Sequence, residues 1–203
     1  MSKKRYPIRV PRYAAGIRAQ EPRSGVGRCW WTRRWRAILE GMGLRARLGR
    51  GRNYAVSGQV VSMEIEGNEV RARVQGTRPE PYGVKIVFRA PEGEARSRIV
   101  SALRSEPMFV ARLLADDLPT EVEAIFRAEG YDLFPGGRID GGETAPGAPR
   151  RYDMTTSCSC PDYANPCKHS SAVLLVLGEE VARRPSTLLE LRGIEMEELY
   201  DED

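Results

Sequence analysis

The stretch Cys158-Ser-Cys160-Pro-Asp-Tyr-Ala-Asn-Pro-Cys167-Lys-His169 contains three of the four cysteines and the single histidine of the chain. Side chains two residues apart on an extended strand point the same way, so each Cys-x-Cys or Cys-x-His pair can direct two donors at one point. The connection between the pairs, bounded by Pro161 and Pro166, is long enough to fold back on itself. Three thiolates and an imidazole are a donor set of tetrahedral structural zinc sites. The sequence therefore predicts one structural Zn²⁺ ion bound by Cys158, Cys160, Cys167 and His169.

Four protein ligands would close this site. A closed site has no position for an activated water, so the metal is expected to stabilise the fold and not to perform chemistry. The alternative is a group of reduced, partly buried thiols, with His169 capping the following helix. That alternative leaves the repeated one-residue spacing unexplained. A zinc deaminase site is a poor match, because it needs His-x-Glu with Pro-Cys-x-x-Cys and this chain has Pro-Cys-Lys-His.

The spacing C-x-C-x6-C-x-H, followed by an apolar helical run, resembles the SWIM zinc finger, a module of chromatin-associated proteins and transposases. Further stretches are similar to prokaryotic SWIM-finger proteins whose genes neighbour Swi/Snf-type helicases: Trp30-Trp31-Thr-Arg33-Arg34-Trp35, Arg50-Gly-Arg52-Asn-Tyr54-Ala and Gly58-Gln-Val60. The resemblance implies a finger that binds DNA or protein. It also implies a Swi/Snf-type helicase or ATPase as partner.

Hydrophobic periodicity indicates the fold outside the finger. A period of two between Tyr54 and Arg89 predicts three antiparallel strands with one apolar face. Helical spacing follows as far as Gly130, and these helices are expected to cover the open face of the sheet. The predicted fold class is α+β, an antiparallel β-meander covered by helices plus a small zinc-stabilised β-hairpin and helix module of SWIM type. The residues predicted on the apolar face are Val61, Met63, Ile65, Val70, Ala72, Val74, Tyr82, Val84, Ile86 and Phe88.

A segment rich in glycine and proline suggests how the chain is divided. Eight of the fifteen residues from 135 to 149 are Gly or Pro, a composition that sustains neither a helix nor a strand. We therefore predict a basic arm and Trp-rich helix in residues 1–52 and the meander with its covering helices in 53–134. A linker would occupy 135–150, and the zinc finger with a C-terminal helix and an acidic tail would occupy 151–203.

Positive charge is concentrated at the start of the chain. Residues 1–52 carry fifteen Lys and Arg against two acidic residues, a net charge of +13, whereas the remainder has a net charge of −9. Guanidinium groups form bidentate, charge-assisted pairs with phosphate. The alternative is a solvated basic tail that neutralises the acidic part of this protein or of a partner. Residues 1–28 are read as an extended arm, and a helix is predicted from Trp30 to about Gly41, with its tryptophans in the core. The candidate nucleic-acid contacts are Arg33, Arg34, Arg36, Arg45, Arg47, Arg50 and Arg52.

These features favour a non-enzymatic, zinc-binding accessory protein that binds nucleic acid, DNA rather than RNA, and acts with a Swi/Snf-type ATPase. The alternative is a protein-interaction adaptor that docks on an ATPase through the zinc module and the acidic C-terminal helix. No catalytic motif points to an enzyme or to a small-molecule substrate. The longest apolar run, from Ala172 to Leu177, is too short to span a membrane, and the basic N-terminus lacks the apolar core of a secretion signal. The expected location is cytoplasmic, and nucleoid-associated if the protein is prokaryotic.

Overall fold

The computed structural model describes residues 10–20, 29–42, 45–136 and 153–200. Within these residues it contains eight helices and four strands. The helices are α1 (Trp30–Gly41), α2 (Arg45–Val56), α3 (Gly93–Arg104), α4 (Pro107–Leu114), α5 (Glu121–Ala128), α6 (Lys168–Arg183), α7 (Thr187–Glu190) and α8 (Glu197–Tyr200). The strands are β1 (Val60–Glu66), β2 (Glu69–Val74), β3 (Tyr82–Phe88) and β4 (Met154–Cys158). The α+β fold class predicted from the sequence is confirmed.

The four strands form one antiparallel sheet in the order β1-β2-β3-β4. Along β2 and β3, alternate side chains are buried, and they are the ones predicted to face the core. The turn between β1 and β2 contains Gly67 at a φ of 52°. Val61 is an exception, since its side chain is 42% exposed. The register of the β1–β2 pairing shifts between Val60 and Ser62, and Val60 is buried in the core instead of Val61. A bulge of this kind cannot be read from strict alternation.

Helix α6 covers the sheet. It contacts all four strands on one side and packs against α1 and α2 on the other, so it is the central layer of the fold. Its apolar run from residue 172 to residue 177 is buried throughout. Helix α3, by contrast, packs mainly on α4, α5 and α8. The prediction that the helices before Gly130 cover the sheet is therefore wrong in this respect, because α6, in the C-terminal part of the chain, covers it.

Helix α1 has the predicted bounds, and its buried face is made of Trp31, Trp35, Ile38 and Leu39. The Trp35 indole Nε1 donates to the carbonyl of Leu174 over 3.2 Å and so joins α1 to α6. The tryptophans of this helix therefore belong to the core, as predicted. None of the described helices is both long and apolar enough to cross a bilayer.

The zinc-binding segment and the meander share one sheet and one core. Strand β4 pairs with β3, with Ile86 opposite Thr156, so the partner of β4 is a meander strand and not a second strand of the module. Buried residues of α1, β2, β3 and α6 form a single hydrophobic cluster. The four-part division of the chain stays a prediction, and residues 137–150 of its linker lie outside the described residues. The shared sheet nevertheless makes independent folding of the two parts physically unfavourable.

The predicted C-terminal helix is interrupted. Helix α7 ends at Glu190, and Gly193 follows at a φ of 69°, a left-handed conformation that ends helices. Helix α8 then begins at Glu197. The acidic tail beyond residue 200 lies outside the described residues.

Residues 10–20 of the predicted arm are extended and are attached to the edge of the sheet. Ile17 forms an isolated antiparallel bridge with Val60, and the Arg12 amide donates to the Gly76 carbonyl over 2.9 Å. The Gln20 amide donates to Glu179 Oε1 on α6 over 2.7 Å. This part of the arm is therefore integral to the fold, whereas residues 1–9 and 21–28 lie outside the described residues.

Helix α2 contains two glycines, Gly49 and Gly51, and the second lies close to α6. The close approach is internal, because a Cβ at Gly51 would lie 2.6 Å from Ser171 Cβ and 3.0 Å from the Ala172 nitrogen on α6. A Cβ at Gly49, two residues earlier on the same helix, would meet nothing within 4 Å. Glycine is therefore required sterically at position 51 and not at position 49.

This contrast provides a paired test. Gly51→Ala is expected to lower the free energy of unfolding by about 1–3 kcal/mol, because the added methyl forces α2 away from α6. Gly49→Ala is expected to raise it by about 0.5–1 kcal/mol, because alanine favours the helix and meets no obstacle. Urea denaturation of both variants checks the prediction. Equal changes in the two variants would show that α2 does not pack closely on α6.

Candidate metal centre

The four predicted ligands come from the end of a strand and the start of a helix. Cys158 is the last residue of β4, and Cys160 follows after a tight turn. Cys167 is the N-cap of α6 and His169 lies in its first turn. The α6 N-terminus carries partial positive charge, which offsets the net charge of about −1 of a Zn²⁺ ion bound to three thiolates. The end of the strand and the start of the helix thus bring the two ligand pairs together.

The geometry of the cluster fits a zinc ion. The three Sγ atoms and a ring nitrogen of His169 lie within 4.8 Å of one another. His169 Nδ1 is 3.8 Å from the sulfurs of both Cys158 and Cys167. Zn–S and Zn–N bonds of about 2.3 and 2.1 Å at a tetrahedral angle would separate these atoms by about 3.6 Å. His169 therefore presents Nδ1 as the ligand nitrogen, and the four side chains hold a structural zinc.

The loop between the ligand pairs is held by local hydrogen bonds. Asn165 Nδ2 donates to the Thr156 carbonyl over 2.6 Å, and Asp162 Oδ1 accepts from the Ala164 amide over 3.2 Å. The Ser159 amide donates to the Gly83 carbonyl over 2.9 Å, which extends the β3–β4 pairing past Cys158. The ligands are therefore positioned by the sheet as well as by the loop itself.

The cysteine environments differ. The pKa of Cys167 is lowered, first by the hydrogen bond from the Cys158 thiol and further by its hydrogen bonds with His169 and Ser170. The pKa of Cys158 is raised, first by the same hydrogen bond to Cys167 and then by burial. These hydrogen bonds therefore favour the thiolate form of Cys167, which lies at the positive end of α6, and a thiolate is the form that binds zinc.

His169 is enclosed by aromatic rings. Its side chain is 2% exposed, and its ring centre lies 4.7 Å from that of Tyr82 and 5.1 Å from that of Tyr54. Its Nε2 atom is buried and has no hydrogen-bond partner among the described residues. Histidine ligands almost always donate this second N–H to an acceptor. The zinc site alone therefore does not explain why the Nε2–H of His169 has no acceptor among the described residues.

A cavity of about 760 Å³, which was not among the features predicted from the sequence, lies next to the metal cluster. It is bounded by α2, the start of α6, the loop after Cys160, and residues 10 and 11. Cys160 and His169 line it together with Tyr54, Tyr82, Arg50 and Lys168. The signal that could have indicated it is the three- and four-residue spacing of Arg50 and Asn53 on α2 and Ser57 just after its end.

The candidate arginines do not form one equivalent set. Arg33, Arg50 and Arg52 are exposed, and Arg47 is half-buried. Arg34 forms an ion pair of 3.0 Å with Glu123 on α5, and Arg36 is half-buried with its Nε atom inaccessible to solvent. Arg45 begins α2, and its side chain lies outside the described ones. Arg33, Arg50 and Arg52 thus lie at the surface and Arg34 is tied to α5, and contact of these arginines with nucleic acid stays a prediction.

Comparison with known proteins agrees with this geometry. The family model of the SWIM zinc finger matches residues 150–178. The chain is also 36% identical over 193 residues to the uncharacterized protein Rv2102 of Mycobacterium tuberculosis, an alignment that covers 95% of this chain and 65% of that protein. The chain therefore spans somewhat less than two thirds of the relative it matches. No solved structure matches it significantly.

The family match contains all four clustered ligands and α6 as far as Gly178. The spacing of these ligands, their convergence within ion-binding distance and the family match agree on one assignment. The chain contains a SWIM zinc finger, with Cys158, Cys160, Cys167 and His169 as the ligands of its structural zinc.

Proposed function

We propose that this protein is a non-enzymatic accessory protein that binds nucleic acid, DNA in preference to RNA, and acts with a Swi/Snf-type ATPase. The observation that carries the proposal is the distribution of charge, because residues 1–52 hold a net +13 and expose Arg33, Arg50 and Arg52 on α1 and α2. Clustered basic side chains are the first diagnostic of a nucleic-acid-binding surface. The SWIM finger supports the same class of function.

The finger by itself is a weak phosphate-binding unit. Residues 151–185 contain four basic and four acidic residues, and the zinc site adds about one negative charge. One basic side chain of α2 lies near the finger, since Arg50 lines the same cavity as Lys168 of α6. We therefore assign the electrostatic contact with nucleic acid to α1, α2 and the arm. The role of the finger is to hold α2 in position.

A salt titration tests this assignment. Each phosphate neutralised on duplex DNA contributes about −0.9 to the slope of log affinity against log salt. Replacing Arg33, Arg50 and Arg52 together by glutamine is expected to reduce the magnitude of that slope by about 3, and to weaken binding strongly at about 50 mM salt. Fluorescence anisotropy with a random-sequence duplex measures both quantities.

The matched control removes three charges elsewhere. Arg71, Arg98 and Arg183 are exposed, lie outside α1 and α2, and form ion pairs with carboxylates at 2.6, 2.8 and 2.8 Å. Exposed pairs of this kind stabilise a fold by only about 0–1 kcal/mol each, so the triple glutamine variant is expected to fold. It is also expected to keep the slope of the wild type. Equal losses in both triple variants would mean that net charge alone, and not this surface, attracts nucleic acid.

The proposed partner follows from the kind of finger, which resembles those encoded beside Swi/Snf-type helicases. Direct binding between the purified protein and the Swi/Snf-type ATPase of the same organism, measured by calorimetry, tests it. If the protein binds the ATPase and neither duplex nor single-stranded nucleic acid at about 50 mM salt, it is an adaptor and the nucleic-acid assignment fails.

A further inference from the structure

The cavity next to the zinc centre has the size and lining of a binding site. Its volume of about 760 Å³ falls within the range of about 300–1,000 Å³ that is typical of small-ligand sites. Its walls combine the rings of Tyr54 and Tyr82 with the neutral hydrogen-bonding side chains of Asn53, Ser57 and Thr77. Side chains of this kind can recognise the edge of an unpaired base.

Two positively charged side chains, Arg50 and Lys168, line this cavity. Arg50 is exposed on α2, and Lys168 is half-buried at the start of α6, with its Nζ 5.8 Å from the centre of the Tyr54 ring. Asp162 is the acidic side chain of the lining, and its Oδ1 accepts the Ala164 amide. The cations lie on elements that meet at the cavity, so a phosphate at its mouth can contact both.

The buried imidazole of His169 supplies an independent observation. His169 lines the cavity, is 2% exposed and has an Nε2 atom without a partner in the described part of the chain. Its N–H needs an acceptor to complete the environment of the zinc ligand. A carbonyl or phosphate oxygen of a bound nucleotide is an acceptor of the required chemistry.

The zinc loop adds an unusually exposed aromatic ring. Tyr163 is 97% exposed and directly follows Pro161 and Asp162, which line the cavity. The ends of its loop are held by Cys160 and Cys167, so the ring is presented by a supported segment. Aromatic rings on supported segments beside cationic grooves are stacking platforms for the bases of single strands.

We propose that the cavity beside the zinc centre binds an unpaired nucleotide of a single-stranded nucleic acid, with the neighbouring base stacked on Tyr163 and the connecting phosphates on Arg50 and Lys168. This proposal rests on the proposed nucleic-acid-binding function and specifies its substrate. The bases of a duplex are stacked and paired, so neither their faces nor their pairing edges can reach Tyr163 and the cavity walls.

Substitution of Tyr163 tests the proposal. Tyr163→Ala is expected to weaken binding to an oligo-dT single strand by about 5- to 100-fold, because one base loses its stacking partner. The salt dependence of oligo-dT binding should be unchanged in this variant, since no phosphate contact is lost. Its affinity for duplex DNA should stay within twofold of that of the wild type. Tyr163→Phe is expected to bind like the wild type. Arg50→Gln should instead reduce the magnitude of the single-strand slope by about 0.7.

The matched control is Tyr13→Ala, which removes another exposed tyrosine, 83% exposed, that does not line the cavity. It is expected to bind single strands like the wild type. Wild-type binding to oligo-dT combined with no greater loss in Tyr163→Ala than in Tyr13→Ala would overturn the proposal and leave the nucleic-acid function standing. Failure of the wild type to bind any nucleic acid would overturn both. Zinc content, measured for each variant, must remain one per chain.

Discussion

Cys160→Ser is expected to remove the zinc and unfold the meander together with the finger. Structural zinc of this type contributes roughly 10–16 kcal/mol of apparent binding free energy at neutral pH, which is comparable to the total stability of an ordinary domain, about 5–15 kcal/mol. Strand β4 continues the meander sheet, and α6 is the layer between that sheet and α1 and α2. Loss of the metal therefore disturbs the centre of the fold and not only its C-terminal part.

Two measurements check this expectation. Elemental analysis should give one zinc per chain for the wild type and almost none for Cys160→Ser. Hydrogen exchange should show that the amides of β2 and β3, around Val70 and Ile86, lose protection together with those of α6. Cys29→Ser is the matched control, because Cys29 is the one cysteine outside the cluster and is only partly buried. It should keep both zinc and protection.

One outcome would contradict this expectation. If Cys160→Ser loses zinc while β2 and β3 keep their protection, the finger is a separate module, as the Gly- and Pro-rich segment from 135 to 149 suggested. In that case the pairing of β4 with β3 would contribute little to the stability of the meander.

Arg192→Met is expected to lower the free energy of unfolding by at least about 3 kcal/mol. The Arg192 side chain is 1% exposed, and its guanidinium donates to the carbonyls of Arg89, Leu133 and Phe134 over 2.5, 3.2 and 2.9 Å. Hydrogen bonds from charged groups stabilise by about 1.5–3 kcal/mol each, and removing the donor leaves buried acceptors unpaired. Burial lowers the pKa of Arg192 to about 10, so the group remains protonated at neutral pH.

These contacts give Arg192 a structural role. They tie the segment after α7 to the chain just after β3 and to residues 133 and 134, which follow α5. Arg192→Lys should recover only part of the stability, because an ammonium group cannot reproduce the planar, forked geometry that reaches three carbonyls. Chemical denaturation of the two variants beside Arg183→Met, an exposed arginine with one ion pair, measures the effect. If Arg192→Met and Arg183→Met lose the same stability, the buried hydrogen bonds contribute nothing beyond a surface pair.

The local features of this protein could be predicted because they depend on residues close together in the chain. The zinc ligands lie within twelve residues, and their one-residue spacings suit the end of a strand and the first turn of a helix. The strands β2 and β3 and the helix α1 follow from periods of two and of three to four residues. In each case the repeat length of the backbone decides which side chains share a face, and the sequence displays that repeat directly.

The features that could not be predicted depend on contacts between distant segments. Val84 and Cys158 are 74 residues apart and pair in the sheet, and Gly51 allows the approach of α2 to α6. The ion pair of Arg34 with Glu123 likewise joins residues 89 positions apart in the chain. Local periodicity carries no information on which surfaces pack together, because many pairings satisfy the same apolar pattern.

The sequence by itself determined the identity of the zinc ligands, the α+β class and the concentration of positive charge before residue 53, since all three are properties of composition and local spacing. The tertiary structure decided that α6 is the central layer, that the finger and the meander share one core, and that Arg50, Lys168 and His169 line one cavity. These arrangements arise from close packing between segments far apart in the chain, where side-chain volume and hydrogen-bond geometry select one pairing from the many that hydrophobic pattern allows.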